Sequence, residues 1–175
     1  MARGCTVWLT GLSGSGKSTI AQLLSDRLEA SGRTVTRLDG DEIRTHLTRG
    51  LSFSREDRDI NVMRVAYVAR EVVRHGGIAV ASLISPYRET RGRARAMIGE
   101  FVEVFVDAPL EVCESRDVKG LYARARAGEI ADFTGIDDPY EPPEKPEVHI
   151  RTDSESVEES VDTIITTLRS LEYVD

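Results

Sequence analysis

Gly11-Leu12-Ser13-Gly14-Ser15-Gly16-Lys17-Ser18 constrains this chain more than any other segment. It fits the pattern G-x-x-x-x-G-K-[ST], and its surroundings sharpen it. Cys5-Thr6-Val7-Trp8-Leu9 before it is β-rich and reads as a strand. After it, Ile20, Leu23, Leu24 and Leu28 recur at helical spacing until Gly32 stops the pattern. Glycines let the backbone bend so that successive N–H groups point inward at an anion. The following helix N-terminus adds a favourable dipole. Lys17 is placed to reach the β- and γ-phosphates of a nucleotide, and the Ser18 hydroxyl to ligate Mg²⁺. Gly11, Ser13, Gly14, Ser15, Gly16, Lys17, Ser18 and Thr19 are the candidate ATP contacts, with Ser18 as the metal ligand.

The rest of the chain alternates strand and helix signals. Thr34 to Leu38 reads as a second strand, and Asp39-Gly40-Asp41 turns into a short helix carrying Ile43 and Leu47. Ser54 reads as an N-cap with Asp57 at the capping-box position, opening a long helix that ends at Gly76-Gly77. Ile78 to Leu83 is a continuous run that is apolar but for Ser82, the mark of a strand buried on both faces. A polar helix over about 89–97, a strand over Phe101–Val106, a helix start at Leu110, a last strand over Val148–Arg151 and a C-terminal helix from Val157 complete the series. Such alternation predicts βαβ units, a parallel sheet and a three-layer α/β fold. At 175 residues the chain is read as one domain, 1–175.

Composition narrows the partners. A formal net charge of −7 argues against nucleic acid and membrane surfaces. Cys5 and Cys113 are too few for a disulfide framework and match no zinc spacing. No signal peptide is visible, and the longest apolar run is too short to span a bilayer, so a cytoplasmic location is expected. The single asparagine, Asn61, is followed by Val62-Met63-Arg64, so the Asn-Lys-x-Asp loop of guanine-specific switches is missing. No acidic residue ends the Ile78–Leu83 strand, which leaves the metal to Ser18, water and Asp39 or Asp41.

A second cluster of polar residues lies beyond the strand ends, where ligands gather in open α/β sheets. Asp41 can accept the proton of an attacking hydroxyl or hold Mg²⁺ through water, and Arg44, three residues on, shares its face. Arg58 and Asn61, flanked by Arg55 and Arg64, suit a phosphate or sulfate fork, or else form a solvated charged face. Phe53 is either a hydrophobic staple or a stacking platform for a base. Ser85 positions substrate, accepts phosphate covalently, or caps the next helix.

Residues 116–140 read as a mobile lid. Arg116, Lys119, Arg124 and Arg126 concentrate positive charge there in an otherwise acidic chain. A basic, glycine-jointed segment that closes over a nucleotide excludes water and stabilises the migrating phosphoryl group. Lys119 to Tyr140 lacks a clean period and is expected to be loop with a short helix inside.

Taken in order, Gly11 to Thr19, Leu38-Asp39-Gly40-Asp41, Phe53-Ser54, Asp57-Arg58, Asn61, Ile84-Ser85-Pro86, Arg116-Asp117-Val118-Lys119-Gly120-Leu121-Tyr122, Phe133-Thr134-Gly135-Ile136 and Tyr140-Glu141 closely resemble the adenylylsulfate kinase (APS kinase) family. The resemblance runs from about Val7 to Pro146. It implies a P-loop NTPase fold of the nucleoside-monophosphate-kinase type with a mobile lid, a homodimer, and Mg²⁺-dependent transfer of the γ-phosphate of ATP. The acceptor would be the 3′-hydroxyl of adenosine 5′-phosphosulfate (adenylyl sulfate) and the product PAPS, in sulfate assimilation. By motif position Lys17, Asp41 and Ser85 would be catalytic, and Arg116 and Arg124 would join the ATP contacts. Asp41, Arg44, Phe53, Arg58, Asn61, Ile84, Ser85, Lys119, Asp132 and Phe133 would hold adenylyl sulfate, with Phe53 and Phe133 sandwiching its adenine. Direct in-line transfer is preferred over a phosphoserine at Ser85. The competing readings are another small-molecule P-loop kinase and an inactive ATP-binding subunit of a sulfur-metabolism complex. Ser52 departs from the Leu-Gly-Phe-Ser stretch of the family, and is expected to stiffen the loop that carries Phe53.

Overall fold

The computed structural model describes residues 3–175. Among them, five parallel strands lie in the order β2-β3-β1-β4-β5. β1 is Cys5–Thr10, β2 Val35–Asp39, β3 Ile78–Ser82, β4 Phe101–Asp107 and β5 Val148–Arg151. The helices are α1 (Lys17–Ala30), α2 (Gly40–His46), α3 (Arg55–Arg74), α4 (Arg88–Ile98), α5 (Leu110–Arg116), α6 (Leu121–Arg126) and α7 (Val157–Ser170).

Strand alternation sorts the core into two layers. On one face Cys5, Val7, Leu9, Ile78 and Val80 pack with Ile20 and Leu24 of α1 and Ile164 and Leu168 of α7. On the other, Trp8, Ala79 and Ala81 meet Val65, Ala66 and Ala69 of α3 and Ala94 of α4. Alanines at 79 and 81 make room for Trp8, which stacks on Phe101 with centroids 5.5 Å apart. This is the three-layer α/β architecture that the alternating pattern predicts. Its consequence is positional: the loops after β1, β2 and β3 all leave the same edge of the sheet.

Local differences from the sequence reading have physical causes. The cap of α3 is half a capping box. Ser54 Oγ accepts from the Asp57 amide at 3.2 Å, but the Asp57 carboxylate turns to Ser52 and not to the Ser54 amide. α4 begins at Arg88 with Tyr87 as its N-cap, so Ser85 does not cap it. Residues 119–140, by contrast, are loop with one short helix inside, as expected. α6 lies inside them, its N-terminus capped by Asp117, whose carboxylate accepts from the amides of Tyr122 and Ala123 at 3.0 Å.

Candidate active site

A cavity of about 780 Å³ opens at the carboxyl edge of the sheet. One wall carries Ser13, Gly14, Gly16, Lys17, Ser18 and Thr19, and another carries Asp41, Arg44, Phe53, Arg58, Asn61, Ile84 and Ser85. Arg116, Lys119, Arg124, Asp132 and Phe133 line it from the lid side. Of the anticipated site residues, Gly11 and Ser15 do not line it. They shape the loop from behind: a Cβ on Gly11 would collide with the Val106 carbonyl, and the buried Ser15 hydroxyl has no hydrogen-bond partner among the described residues. Arg55 and Arg64 face a separate groove between α3 and α4, and Arg126 pairs with Glu114 at 2.7 Å.

The phosphate loop ends on Gly16 in the left-handed region, φ 102°, which suits glycine at the start of α1. Lys17 Nζ donates to the carbonyls of Gly11 at 2.9 Å and Leu12 at 2.7 Å, folding back over its own loop. Burial pushes its ammonium down to about 8. Three outside groups brace the loop. Thr152 Oγ1 donates to the Ser15 carbonyl at 2.7 Å, Arg116 Nη1 to the Gly14 carbonyl at 3.2 Å, and Tyr122 Oη to the Ser13 carbonyl at 2.8 Å. The sequence reading missed Thr152 and Tyr122 in this role. Their signal is weak, since both lie more than a hundred residues away from the carbonyls they hold.

Ser18 Oγ donates to Asp39 Oδ2 at 2.7 Å, and Ser82 Oγ donates to the same oxygen at 2.9 Å. The sequence leaves Asp39 and Asp41 open, and register brings Asp39 to Ser18. β2 extends through Asp39, which pairs with Ser82 across the ladder and so stands beside Ser18. Burial resists ionisation of Asp39, but hydrogen bonds from Ser18, Ser82 and the Asp41 amide outweigh it and hold the carboxyl below its usual range. Hydroxyl and carboxylate oxygens at this spot suit Mg²⁺, a hard cation that takes one or two carboxylates beside phosphate oxygens and water. Ser82 ends β3, where a Walker-B acid is missing.

Two residues on from Asp39, Asp41 pairs with Lys119 of the lid, and both stay exposed. Arg44 lies over the Phe53 ring at 4.3 Å. Phe53 is 51% exposed into the cavity, so it is not a buried staple. Asn61 accepts from Thr48 Oγ1 at 2.7 Å, which fixes the amide. Arg58 is buried. Its Nε donates to the Phe53 carbonyl at 2.6 Å, and its other nitrogens reach the Asp132 carbonyl and the Thr134 hydroxyl. Phe133 packs edge-on against Tyr122 with centroids 5.0 Å apart. Thr48 is a further residue the sequence did not single out, and Thr134 stood in the Phe133-Thr134-Gly135-Ile136 segment without a role of its own.

Ser85 is buried at φ 41°, with Oγ accepting from Trp8 Nε1 at 3.1 Å. Its carbonyl takes a 2.6 Å bond from Arg91, whose Nε pairs with Glu103 at 2.8 Å and whose Nη2 holds the Glu141 carbonyl at 2.6 Å. The end of the lid is therefore fastened. Tyr87 Oη donates to Asp138 at 2.9 Å, the Tyr140 hydroxyl meets Thr10 Oγ1 at 2.9 Å, and the Glu141 amide donates to the Pro86 carbonyl at 2.8 Å.

The adenylylsulphate kinase family model matches residues 3–151. The adenylyl-sulfate kinase of Microcystis aeruginosa is 61% identical over 172 residues, covering 98% of this chain and 95% of its own length. That of Halothermothrix orenii is 56% identical over 173 residues, covering 99% and 94%. The structure of the Mycobacterium tuberculosis APS kinase in complex with AMPPNP and APS superposes with a TM-score of 0.93 at 44% identity, covering 97% of this chain and 99% of that one. Shikimate kinase from Aquifex aeolicus, 20% identical with a TM-score of 0.57 and covering 95% of this chain and 97% of its own, shares the fold alone. With a family match across most of its length and relatives of this identity, the chain belongs to the adenylylsulfate kinase family.

Proposed function

We propose that this chain transfers the γ-phosphate of ATP to the 3′-hydroxyl of adenylyl sulfate, giving ADP and PAPS. One observation carries the reading beyond family membership. The phosphate loop with Lys17 and Ser18 opens onto the same cavity as Arg44, Arg58, Asn61 and the two phenylalanines, which supports a donor and an acceptor held in one space.

The residues divide the work. Backbone amides of the phosphate loop and the Lys17 ammonium cradle the β- and γ-phosphates. Ser18 and Asp39 would hold Mg²⁺, which when bound neutralises charge on the phosphate oxygens. Arg116 and Arg124 line the donor side, where guanidinium groups suit ATP. Arg44, Asn61 and Lys119 offer donors to the phosphosulfate, and Ile84 and Ser85 shape the floor beneath it. Phe53 and Phe133 supply aromatic faces for the adenine.

Asp41 orients the 3′-hydroxyl and accepts its proton as the oxygen attacks the γ-phosphorus and the bond to ADP breaks. For that, the Asp41 carboxylate must exchange its pairing with Lys119 for the substrate hydroxyl. We read 1–175 as one kinase domain, with residues 116–140 as its lid, working as a homodimer in the cytoplasm where ATP is at hand. No described helix is long and apolar enough to cross a membrane.

The test uses purified protein, γ-labelled ATP, Mg²⁺ and a panel of acceptors: adenylyl sulfate, AMP, shikimate and gluconate. Label is expected in PAPS alone. Label on another acceptor, with adenylyl sulfate untouched, would overturn the assignment.

A further inference from the structure

The turn that carries Phe53 is held by a clasp outside the cavity. Asp57 Oδ2 accepts from the Ser52 amide at 2.7 Å and from Ser52 Oγ at 2.5 Å. Ser52 Oγ in turn accepts from the Ser54 amide at 3.2 Å. The hydroxyl of Ser52 thus stands where a longer acidic side chain would close a full capping box: it links the N-cap amide to a carboxylate one turn into α3. Ser52 also offers its carbonyl to Arg44 Nη1 at 3.3 Å, the guanidinium that lies over the Phe53 ring.

Phe53 sits between these bonds. Its backbone is held by Ser52 and Ser54 on both sides and by Arg58 at its carbonyl, while its ring is half exposed, with the Arg44 guanidinium over one face. A half-exposed aromatic on a free turn would sample many orientations, and ordering it on binding costs affinity. Hydrogen bonds from the Ser52 hydroxyl and amide hold the Asp57 carboxyl below its usual range, which keeps it ionised as an acceptor.

We propose that Ser52 and Asp57 are positioning residues that preorganise Phe53 as a platform for the adenine of the acceptor. The inference rests on the proposed function and assigns two residues that touch neither substrate. Its chemistry is a charge-assisted hydrogen bond across five residues, within which little loop entropy opposes closure. The clasp therefore acts on the acceptor site and leaves the phosphate loop alone.

The experiment compares the parent chain with Ser52→Gly, Ser52→Ala, Phe53→Ala and the double variant Ser52→Gly/Phe53→Ala. Ser52→Gly removes the hydroxyl and loosens the backbone together, and is expected to raise KM for adenylyl sulfate about 5- to 10-fold. Ser52→Ala, which keeps the amide bond, should give about half of that effect in free energy. KM for ATP and kcat are expected to stay within about twofold of the parent, since neither involves Phe53. In the Phe53→Ala background Ser52→Gly should have no further effect on KM for adenylyl sulfate. A merely structural role would not produce that cancellation. Unchanged acceptor KM in Ser52→Gly, or an equal loss with and without Phe53, would overturn the inference. If the parent chain leaves adenylyl sulfate unphosphorylated, the function falls and takes this inference with it; if only the variants behave otherwise than expected, the function stands.

Discussion

Arg58 donates from Nε to the carbonyl of Phe53 at 2.6 Å, and the same guanidinium holds the carbonyl and hydroxyl on either side of Phe133. One buried cation therefore ties together the two turns that carry the aromatic rings of the proposed acceptor site. This use of Arg58 comes in addition to the phosphate fork expected from its spacing with Asn61. Three of its five N–H donors go to the Phe53 turn and the lid, and one each on Nη1 and Nη2 is left for a ligand in the cavity that Arg58 lines.

From this follows the first prediction. Arg58→Ala should raise KM for adenylyl sulfate about 10- to 100-fold, the worth of hydrogen bonds from a charged group, and move KM for ATP by less than about threefold. Initial rates with each substrate varied in turn would measure the split. Equal effects on both substrates would show that Arg58 supports the whole cavity and not the acceptor half.

Lys17 has a pH signature. Burial lowers its folded value to about 8 from an ordinary 10.5. Phosphate binds the ammonium form, so ATP affinity should be flat below about pH 8 and fall by up to about tenfold per unit above it. For folding the sign is opposite. The depressed value disfavours the charged form, so its contribution is most favourable above 10.5 and is lost as pH falls to 8. Lys17→Met should therefore abolish turnover yet raise Tm at pH 7, by about 2–4 °C for each kcal/mol recovered. Titration of ATP at pH 7 and 9, with thermal melts of both proteins, tests the two signs separately. A Tm below that of the parent would contradict the burial argument.

Asp39 is the residue whose removal should read out through the metal. Asp39→Asn keeps the shape and can still accept from Ser18, but it loses the charge. The Mg²⁺ concentration for half-maximal rate should rise about 10- to 100-fold, with saturating Mg²⁺ restoring much of kcat. Asp41→Asn should instead lower kcat at every Mg²⁺ concentration, because its proposed role is toward the hydroxyl proton. Reversal of these two patterns would exchange the roles of the two carboxylates.

What the sequence exposed and what it hid divide along range. The buried strands announced themselves as apolar runs, and the phosphate loop as a fixed spacing of glycines between strand and helix. Capping of α3 was visible in Ser54 because an N-cap is local. The fastening of the lid was not, since Arg58 and Thr134 are 76 residues apart and neither type demands the other. Thr152 under the phosphate loop was hidden for the same reason. Asp39 was ambiguous because two acids flank one glycine, and only the pairing of Asp39 with Ser82 across the sheet separates them.

Ser85 decides between two chemistries. Its hydroxyl accepts the Trp8 indole N–H at 3.1 Å, and its backbone sits at φ 41°, pinned by Arg91 at the carbonyl. A serine so engaged is poorly placed to attack phosphorus, and on the proposed assignment Lys17, the Ser18–Asp39 oxygens and Asp41 suffice without it. Ser85→Ala should keep measurable transfer. A lost covalent nucleophile would instead lower kcat by orders of magnitude. Stability is expected to suffer more visibly, because the buried Trp8 N–H is left without an acceptor at a cost of about 1–3 kcal/mol. Rates, melts and a search for acid-stable phosphoserine after incubation of the parent with labelled ATP complete the test. Labelled Ser85 in the parent, together with loss of turnover in Ser85→Ala, would replace in-line transfer with a phosphoenzyme route.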